Sequence, residues 1–371
     1  MLRCVMRLRR LRVALFIAAL FGCGGSDSHD ATDPTPIAGT GAGMMATAGT
    51  PATGGASGGA GTGVVTGTGG APGTGGASGA GGAGGAGMGG AGAGGMGGGA
   101  DEVRFAVIGD YGDDLLSSLG LGGEGKVAEL VKSWDPDFVI TTGDNNYPNG
   151  AANTIDANIG KHYAEFIGDY QGMHGPGSDV NRFWPSLGNH DWKTPNAQPY
   201  LDYFTLPGNE RYYDKDLGLV HLFVVDSDPA EPDGVDATST QGMWLQGALG
   251  ASTSCLDVVY FHHPPYSSGS DHGSTMNMQW PFEEWGADVV MAGHDHLYER
   301  LAVGGLPYFV NGLGGSLRYP FGPPLPESQM RFAEDYGAML VTVTRSETRY
   351  DMFRVAGGEM VDTLTVAKAC P

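Results

Sequence analysis

The chain has 371 residues and a formal net charge of −21 at pH 7. A body that acidic repels nucleic acid polymers, and it admits a small anion only where something reverses the local charge. Of the 66 glycines, 30 fall within residues 31–100, so only part of the chain can form a packed core.

Residues 1–23 set Arg3, Arg7, Arg9, Arg10 and Arg12 ahead of an apolar run from Val13 to Phe21. This is a secretory signal pattern, too short to span a bilayer comfortably. It closes on LFGC, residues 20–23, which resembles a bacterial lipobox with Cys23 as the lipidated residue. The expectation is export, as an outer-membrane or cell-surface lipoprotein attached through that N-terminal lipid. The alternative is a periplasmic or secreted protein with Cys23 just past the signal. Residues 24–100 are rich in Gly, Ala, Thr and Met, with no strict G-x-y period. Such a segment cannot repay the entropy of ordering its backbone, and it reads as a flexible tether. Residues 101–371 remain as one domain, long enough for a single core.

Within that domain, residues 104–108 read as a strand ending in GDYGDD. Residues 125–134 have helical spacing, with Val127, Leu130, Val131 and Trp134 on one face. Residues 137–141 form a second strand ending in TTGDNNY. A looser helical stretch covers 155–167, a glycine-rich loop covers 168–179, and 184–187 leads into GNHD. Residues 217–225 read as a strand entered through a hairpin that turns at Gly218. A helix over 240–249 carries Met243, Trp244 and Leu245. Strands over 256–261, 287–291 and 306–310 end in HHPPY, GHDH and NGLGG. The tail offers strands over 338–344, 349–355 and 359–366. Strands alternate with helices early and crowd together late. That order predicts an α/β fold, a parallel or mixed sheet with helical cover joined by a second strand-rich layer. Two cysteines remain in the domain, Cys255 and Cys370. In an exported protein they allow one disulfide; free thiols are the alternative.

Ligands in such folds bind where loops leave the C-terminal ends of strands, and the polar clusters fall there. Asp110 stands at one strand end and Asp144 with Tyr147 at the next. Asn189, His190 and Asp191 follow, then His262 and His263, then His294 and His296. One such Asp is ordinarily a cap or turn former. Five clusters in one domain are hard to explain as caps. His162 and His221 read as structural, whereas His174 and His272 sit in loops that could approach a substrate. The donor set is oxygen and nitrogen without sulfur, which suits harder divalent or trivalent ions. There are too many donors for one ion. Two ions about 3.5–4 Å apart, bridged by a carboxylate, would use them.

These motifs stand in a definite order. They are Asp110-Tyr111-Gly112, Gly143-Asp144-Asn145-Asn146-Tyr147, Gly188-Asn189-His190-Asp191, Val259-Tyr260-Phe261-His262 and Gly293-His294-Asp295-His296. In this they resemble the calcineurin-like metallophosphoesterases, and more closely the compact, single-domain purple acid phosphatases of the tartrate-resistant type. LYER at 297–300 and NGLGG at 311–315 resemble the family as well.

The resemblance implies a four-layer αββα sandwich of two mixed β-sheets flanked by helices, with 101–371 as the catalytic domain. It implies that Asp110, Asp144, Tyr147 and His296 hold Fe(III), with Asp144 bridging. Asn189, His262 and His294 would complete a site for Fe(II), Zn(II) or Mn(II). A hydroxide held by the ions would attack the phosphorus of a small phosphomonoester. His190 would face the substrate and protonate the leaving oxygen or steady the phosphoryl group, the alternative being a supporting contact to a ligand. His263, in the variable place after His262, could orient substrate or take no part, and Asp191 would orient His190 or cap the next segment. Tyr147 marks the purple subtype, since most metallophosphoesterases lack it. The same core also serves phosphodiesterases and nucleotidases. A non-catalytic surface binding module is the alternative of another class. Loops 168–180, 267–277 and 317–329 are the candidates to close over the leaving group. No GKS/T phosphate loop and no Lys/Arg-rich phosphate cradle is evident.

Overall fold

The computed structural model describes residues 101–370; the signal and tether readings over 1–23 and 24–100 lie outside the described residues. Among the described residues, thirteen strands follow one another in three blocks. β1 (Glu102–Ile108), β2 (Phe138–Thr141) and β3 (Phe183–Pro185) begin one sheet. The next seven build a second: β4 (Tyr213–Asp216), β5 (Val220–Val224), β6 (Leu256–Tyr260), β7 (Val289–Ala292), β8 (Tyr298–Val303), β9 (Leu306–Asn311) and β10 (Ser328–Phe332). β11 (Gly337–Thr344), β12 (Glu347–Arg354) and β13 (Met360–Ala367) return to the first. The sheet orders are β13-β12-β11-β1-β2-β3 and β10-β8-β9-β7-β6-β5-β4. Both are mixed. β1, β2 and β3 run parallel, while β11 joins β1 antiparallel. β5, β6, β7 and β9 run parallel between antiparallel edges.

Side-chain alternation explains how two sheets share one core. Val220, Leu222 and Val224 of β5, Val258 and Tyr260 of β6, and Val289 and Met291 of β7 pack with the first sheet's Phe105, Val107, Met339 and Val341. Their neighbours Phe223, Val259 and Val290 turn outward, onto Leu245, Leu249, Trp280 and Phe282. The parallel strands are therefore apolar on both faces, as strands covered on both sides must be. The helix Glu124–Ser133 covers the first sheet, burying Val127, Ala128 and Val131. Leu130 and Trp134, read from the sequence on the same face, are only half-buried. The helix Thr240–Ala251 covers the second sheet; the Ser239 hydroxyl caps it, accepting the Gly242 N–H at 3.1 Å. It buries Leu245 and Leu249, whereas Met243 points to solvent. The result is the four-layer αββα sandwich.

Two strands lie where the sequence pattern is broken by charge. β8 carries Glu299 and Arg300, yet both are paired. Glu299 is fully buried and accepts the Ser268 N–H at 2.6 Å, while Arg300 Nε meets Asp362 Oδ2 at 2.7 Å. β10 is a polar edge strand. The stretch 155–167 is less regular than its spacing predicts. A π turn, Asp156–Gly160, runs into Lys161–Tyr163 and a 3₁₀ turn, Ala164–Phe166. Cys255 and Cys370 are joined as a disulfide across a sequence separation of 115, pinning the C-terminal segment beside the start of β6.

Candidate metal centre

The donor residues stand at the C-terminal ends of β1, β2, β3, β6 and β7 or in the turns just past them. Those turns are tight. Asp110, Asp144 and His294 take left-handed backbone conformations, with φ of 54°, 51° and 70°. Such angles are costly for residues with a Cβ and concentrate at functional sites. Neighbouring glycines permit the approach. Gly143 has a φ of 88°, and a Cβ there would stand 2.7 Å from His262 Nδ1. Gly312 of the NGLGG loop would likewise put a Cβ 2.8 Å from Asp110 Oδ2.

Two groups of donor atoms result. In the first, the Tyr147 hydroxyl lies 3.2 Å from Asp110 Oδ1, 2.9 Å from Asp144 Oδ2 and 3.0 Å from His296 Nε2. In the second, His262 Nε2 lies 2.9 Å from Asn189 Oδ1 and 3.1 Å from His294 Nδ1. Asp144 belongs to both, because its Oδ2 is also 3.4 Å from His262 Nε2. All seven expected donors therefore converge. His294 and His296 diverge from one loop, one into each group.

Backbone contacts orient the imidazoles. His262 Nδ1 donates to the Thr142 carbonyl at 2.9 Å, and His296 Nδ1 donates to the Leu317 carbonyl. This leaves each Nε2 turned inward, as ligand imidazoles require. The His190 N–H donates to Asp144 Oδ1 at 2.8 Å, and the His294 N–H to Asp110 Oδ2 at 2.9 Å. Asp191 does not orient the His190 ring. Its buried carboxylate accepts the Gly188 N–H at 3.0 Å and the Asn145 N–H and side-chain amide at 3.2 and 2.9 Å. It thus caps the GNHD turn and ties it to the turn carrying Asp144.

Burial and mutual charge set the protonation of this centre. Burial raises the Tyr147 phenol well above its ordinary value, and the Asp144 and Asp110 carboxylates raise it further. Burial opposes ionisation of Asp144 as well, but the His262 imidazole outweighs it and holds the carboxyl well below the usual range. Burial likewise opposes a charged His262, yet Asp144 pushes that ring up to about 10. His294 is held down by burial and by His262.

Protons alone cannot satisfy these contacts. The Tyr147 hydroxyl has one hydrogen for three polar neighbours, and His262 Nε2 has at most one for Asn189, His294 and Asp144. Oxygen and nitrogen donors facing one another without enough hydrogens are what cations satisfy. The set fits a pair of hard or borderline ions.

The remaining predicted residues surround this centre. The His190 ring lies 4.3 Å from the Tyr147 ring, and its Nδ1 donates to the Pro148 carbonyl at 2.7 Å. The His263 ring lies 4.4 Å from His294, with its Nδ1 2.9 Å from the Ser227 hydroxyl. Burial and His262 push His263 down to about 3. His272, one of the two loop histidines, stacks on His294 at 3.9 Å; the other, His174, lies 3.6 Å from Asp156. Of the three candidate loops, 267–277 brings His272 and 317–329 brings Tyr319, which stacks on His296 at 4.1 Å. The two loops are stitched together by the Ser270 N–H to the Pro320 carbonyl and the Gly322 N–H to the Ser268 carbonyl. Loop 168–180 folds instead against Asp156 through Tyr170 and Met173.

Two further residues reach the centre from outside the motif runs, Lys193 and Tyr319. Lys193 Nζ stands 2.9 Å from His190 Nε2. Its position three residues past His190 in a helical turn was the available signal. Tyr319 carried none.

Two mixed sheets, back to back, with two oxygen-and-nitrogen donor groups on the turns past the parallel strands, define a metallophosphoesterase sandwich. Residues 103–298 match the calcineurin-like phosphoesterase family, and the chain belongs to that family of phosphoester hydrolases. It is similar to purple acid phosphatase 17 of Arabidopsis thaliana, 28% identical over 228 residues, covering 54% of this chain and 64% of that protein. It is also similar to tartrate-resistant acid phosphatase type 5 of Homo sapiens, 22% identical over 322 residues, covering 74% of this chain and 94% of that protein. Among solved structures, purple acid phosphatase PPD1 from yellow lupin seeds shares the fold with a TM-score of 0.57 at 16% identity, over 72% of this chain and 54% of that one.

Proposed function

We propose that the protein is an exported phosphatase that hydrolyses small phosphomonoesters at a two-ion centre. Asp110, Asp144, Tyr147 and His296 would hold one ion, and Asn189, His262 and His294 with Asp144 the other. The observation that carries this reading is Asp144 Oδ2, one oxygen within 3.4 Å of both donor groups. A phenol among the first group's ligands favours Fe(III) there, and Fe(II), Zn(II) or Mn(II) suits the second. Bound ions would offset phosphate charge in an acidic protein and supply an acidified water as nucleophile.

The chain's own residues then take these parts. His190, its Nδ1 engaged with Pro148, presents Nε2 beside Lys193. A phosphate dianion would draw the Lys193 ammonium to itself and favour a protonated His190, which would donate to the leaving oxygen. His263 and His272, both against His294, would offer N–H donors to phosphoryl oxygens. Three imidazoles and an ammonium around the opening suit a dianionic monoester better than a monoanionic diester. The Cys255–Cys370 disulfide supports an oxidising compartment, in keeping with a signal over 1–23, lipidation at Cys23 and a tether over 24–100.

The test is kcat/KM of the metal-loaded protein on p-nitrophenyl phosphate, bis(p-nitrophenyl) phosphate and a nucleoside monophosphate. The proposal expects the aryl monoester to exceed the diester by at least about tenfold. Equal or better diester turnover would move the activity to a phosphodiesterase. No turnover of any ester with both ions bound would leave a binding module.

A further inference from the structure

A second group of donors stands apart from the centre and shares no residue with it. Asp114, Glu124 and His162 each offer one ligand atom, and these atoms all lie within 4.8 Å of one another. Three separate segments bring them together. Asp114 opens the short helix Asp114–Ser118 just past the Asp110 turn, and Glu124 opens the helix Glu124–Ser133. His162 follows the π turn Asp156–Gly160.

Glu124 is fully buried, and neither of its carboxylate oxygens has a hydrogen-bond partner. His162 Nε2 is also buried without a partner, and it stands 3.5 Å from Glu124 Oε2. The nearby cation does not answer this need, because Lys161 Nζ pairs with Asp114 Oδ1. A buried carboxylate with no hydrogen bond to either oxygen is among the costliest arrangements in a protein interior. A single proton would serve one oxygen of Glu124 and leave the other without a partner. A cation engages both carboxylates and the imidazole at once.

The geometry points to a further divalent-cation site formed by Asp114, Glu124 and His162. Two carboxylates and an imidazole, without sulfur, suit a borderline ion of the zinc or manganese class. The Asp114 side chain is 29% exposed and that of His162 13%, which gives an ion a path in. Burial, with Asp114 and Asp113 nearby, pushes Glu124 up to about 10, in line with a group that needs a proton or a cation.

The site would act on the centre through the Asn158 side chain, which links two backbone groups. The Asp114 N–H donates to Asn158 Oδ1 at 3.2 Å, and the Asn158 amide donates to the Tyr147 carbonyl at 2.8 Å. An ion here would brace the segment after Asp110 against the one that holds Tyr147, without touching substrate.

The experiment is zinc content after equilibrium dialysis of the full chain against Zn²⁺, read beside Zn²⁺-induced thermal stabilisation. Wild type is compared with E124Q, which is close to isosteric, and with H162Q. Wild type is expected to hold one more zinc per chain than either variant and to show the larger rise in Tm. The same one-zinc difference should appear between D144N and D144N/E124Q, which separates this site from the fate of the two-ion centre. Equal zinc content and equal thermal shifts in wild type, E124Q and H162Q would overturn the proposal.

Discussion

Asp144 Oδ2 lies 2.9 Å from the hydroxyl of Tyr147, three residues further along the same turn, and that oxygen is also 3.4 Å from His262 Nε2. The turn therefore does two things at once. It closes a donor group around the phenol and carries one carboxylate into the neighbouring group. D144N keeps the shape and removes the anionic bridge. It should lower kcat/KM on an aryl phosphate by about 10³-fold or more, roughly 4 kcal/mol of transition-state stabilisation. Far-UV circular dichroism should be unchanged. A folded D144N with wild-type turnover would contradict the bridging role.

His190 and Lys193 should separate kinetically. If His190 is the proton donor proposed above, H190N should cost about 10²-fold in kcat on an alkyl phosphate. On p-nitrophenyl phosphate, whose leaving group needs no proton, the loss should be much smaller. K193M would remove the ground-state contact to phosphate proposed for Lys193 and should then raise KM with little change in kcat. A leaving-group-independent loss in H190N would assign it a positioning part instead.

Much of this centre is legible in the chain because its donors come in short runs at strand ends. Asp144 with Tyr147, and His294 with His296, need only one turn each to be placed. What is not legible depends on long-range contacts. Asp295 occupies the variable place between the two histidines, yet it is fully buried and accepts the Ser267 hydroxyl at 2.5 Å and the Gly273 N–H at 3.0 Å. Glu299 of LYER accepts Ser268 in the same loop. These two carboxylates set the path that lays His272 over His294, and no periodicity announces them. β8 was hidden for the same reason: a charged residue reads as surface until its buried partner is known. The two-sided apolar runs of β5, β6 and β7, by contrast, are plain in the sequence, as is the one possible pairing of Cys255 with Cys370.

That pairing should matter for stability. C370S frees the segment after β13 and relaxes a constraint spanning 115 residues of the unfolded chain. The expected loss is roughly 2–4 kcal/mol in urea or thermal unfolding. Turnover at 25 °C should be retained, since Cys255 stands before the start of β6, at the opposite end of that strand from His262, and the bond joins none of the donor turns. Unfolding that is identical with and without reductant would contradict it.

Glu124 gives a pH dependence of defined sign. Its carboxyl is raised from 4.5 to about 10 by burial and by Asp114 and Asp113, with Lys161 opposing. Between those values the folded chain holds a proton that the unfolded chain has released. In chelator-treated protein this contribution is fully present below about 4.5 and is lost as pH rises towards about 10. Urea midpoints of chelator-treated wild type should therefore fall more steeply with rising pH than those of E124Q. Parallel curves would show that Glu124 ionises freely in the folded state.

The central claim, a two-ion centre with Tyr147 on a ferric ion, is tested most directly by metal content measured together with the visible absorption spectrum of the purified protein. Iron is expected among the ions at the centre, with a broad visible band that Y147F abolishes while the fold is retained. A colourless protein whose centre holds only divalent ions, with Y147F indistinguishable from wild type in spectrum and activity, would contradict it.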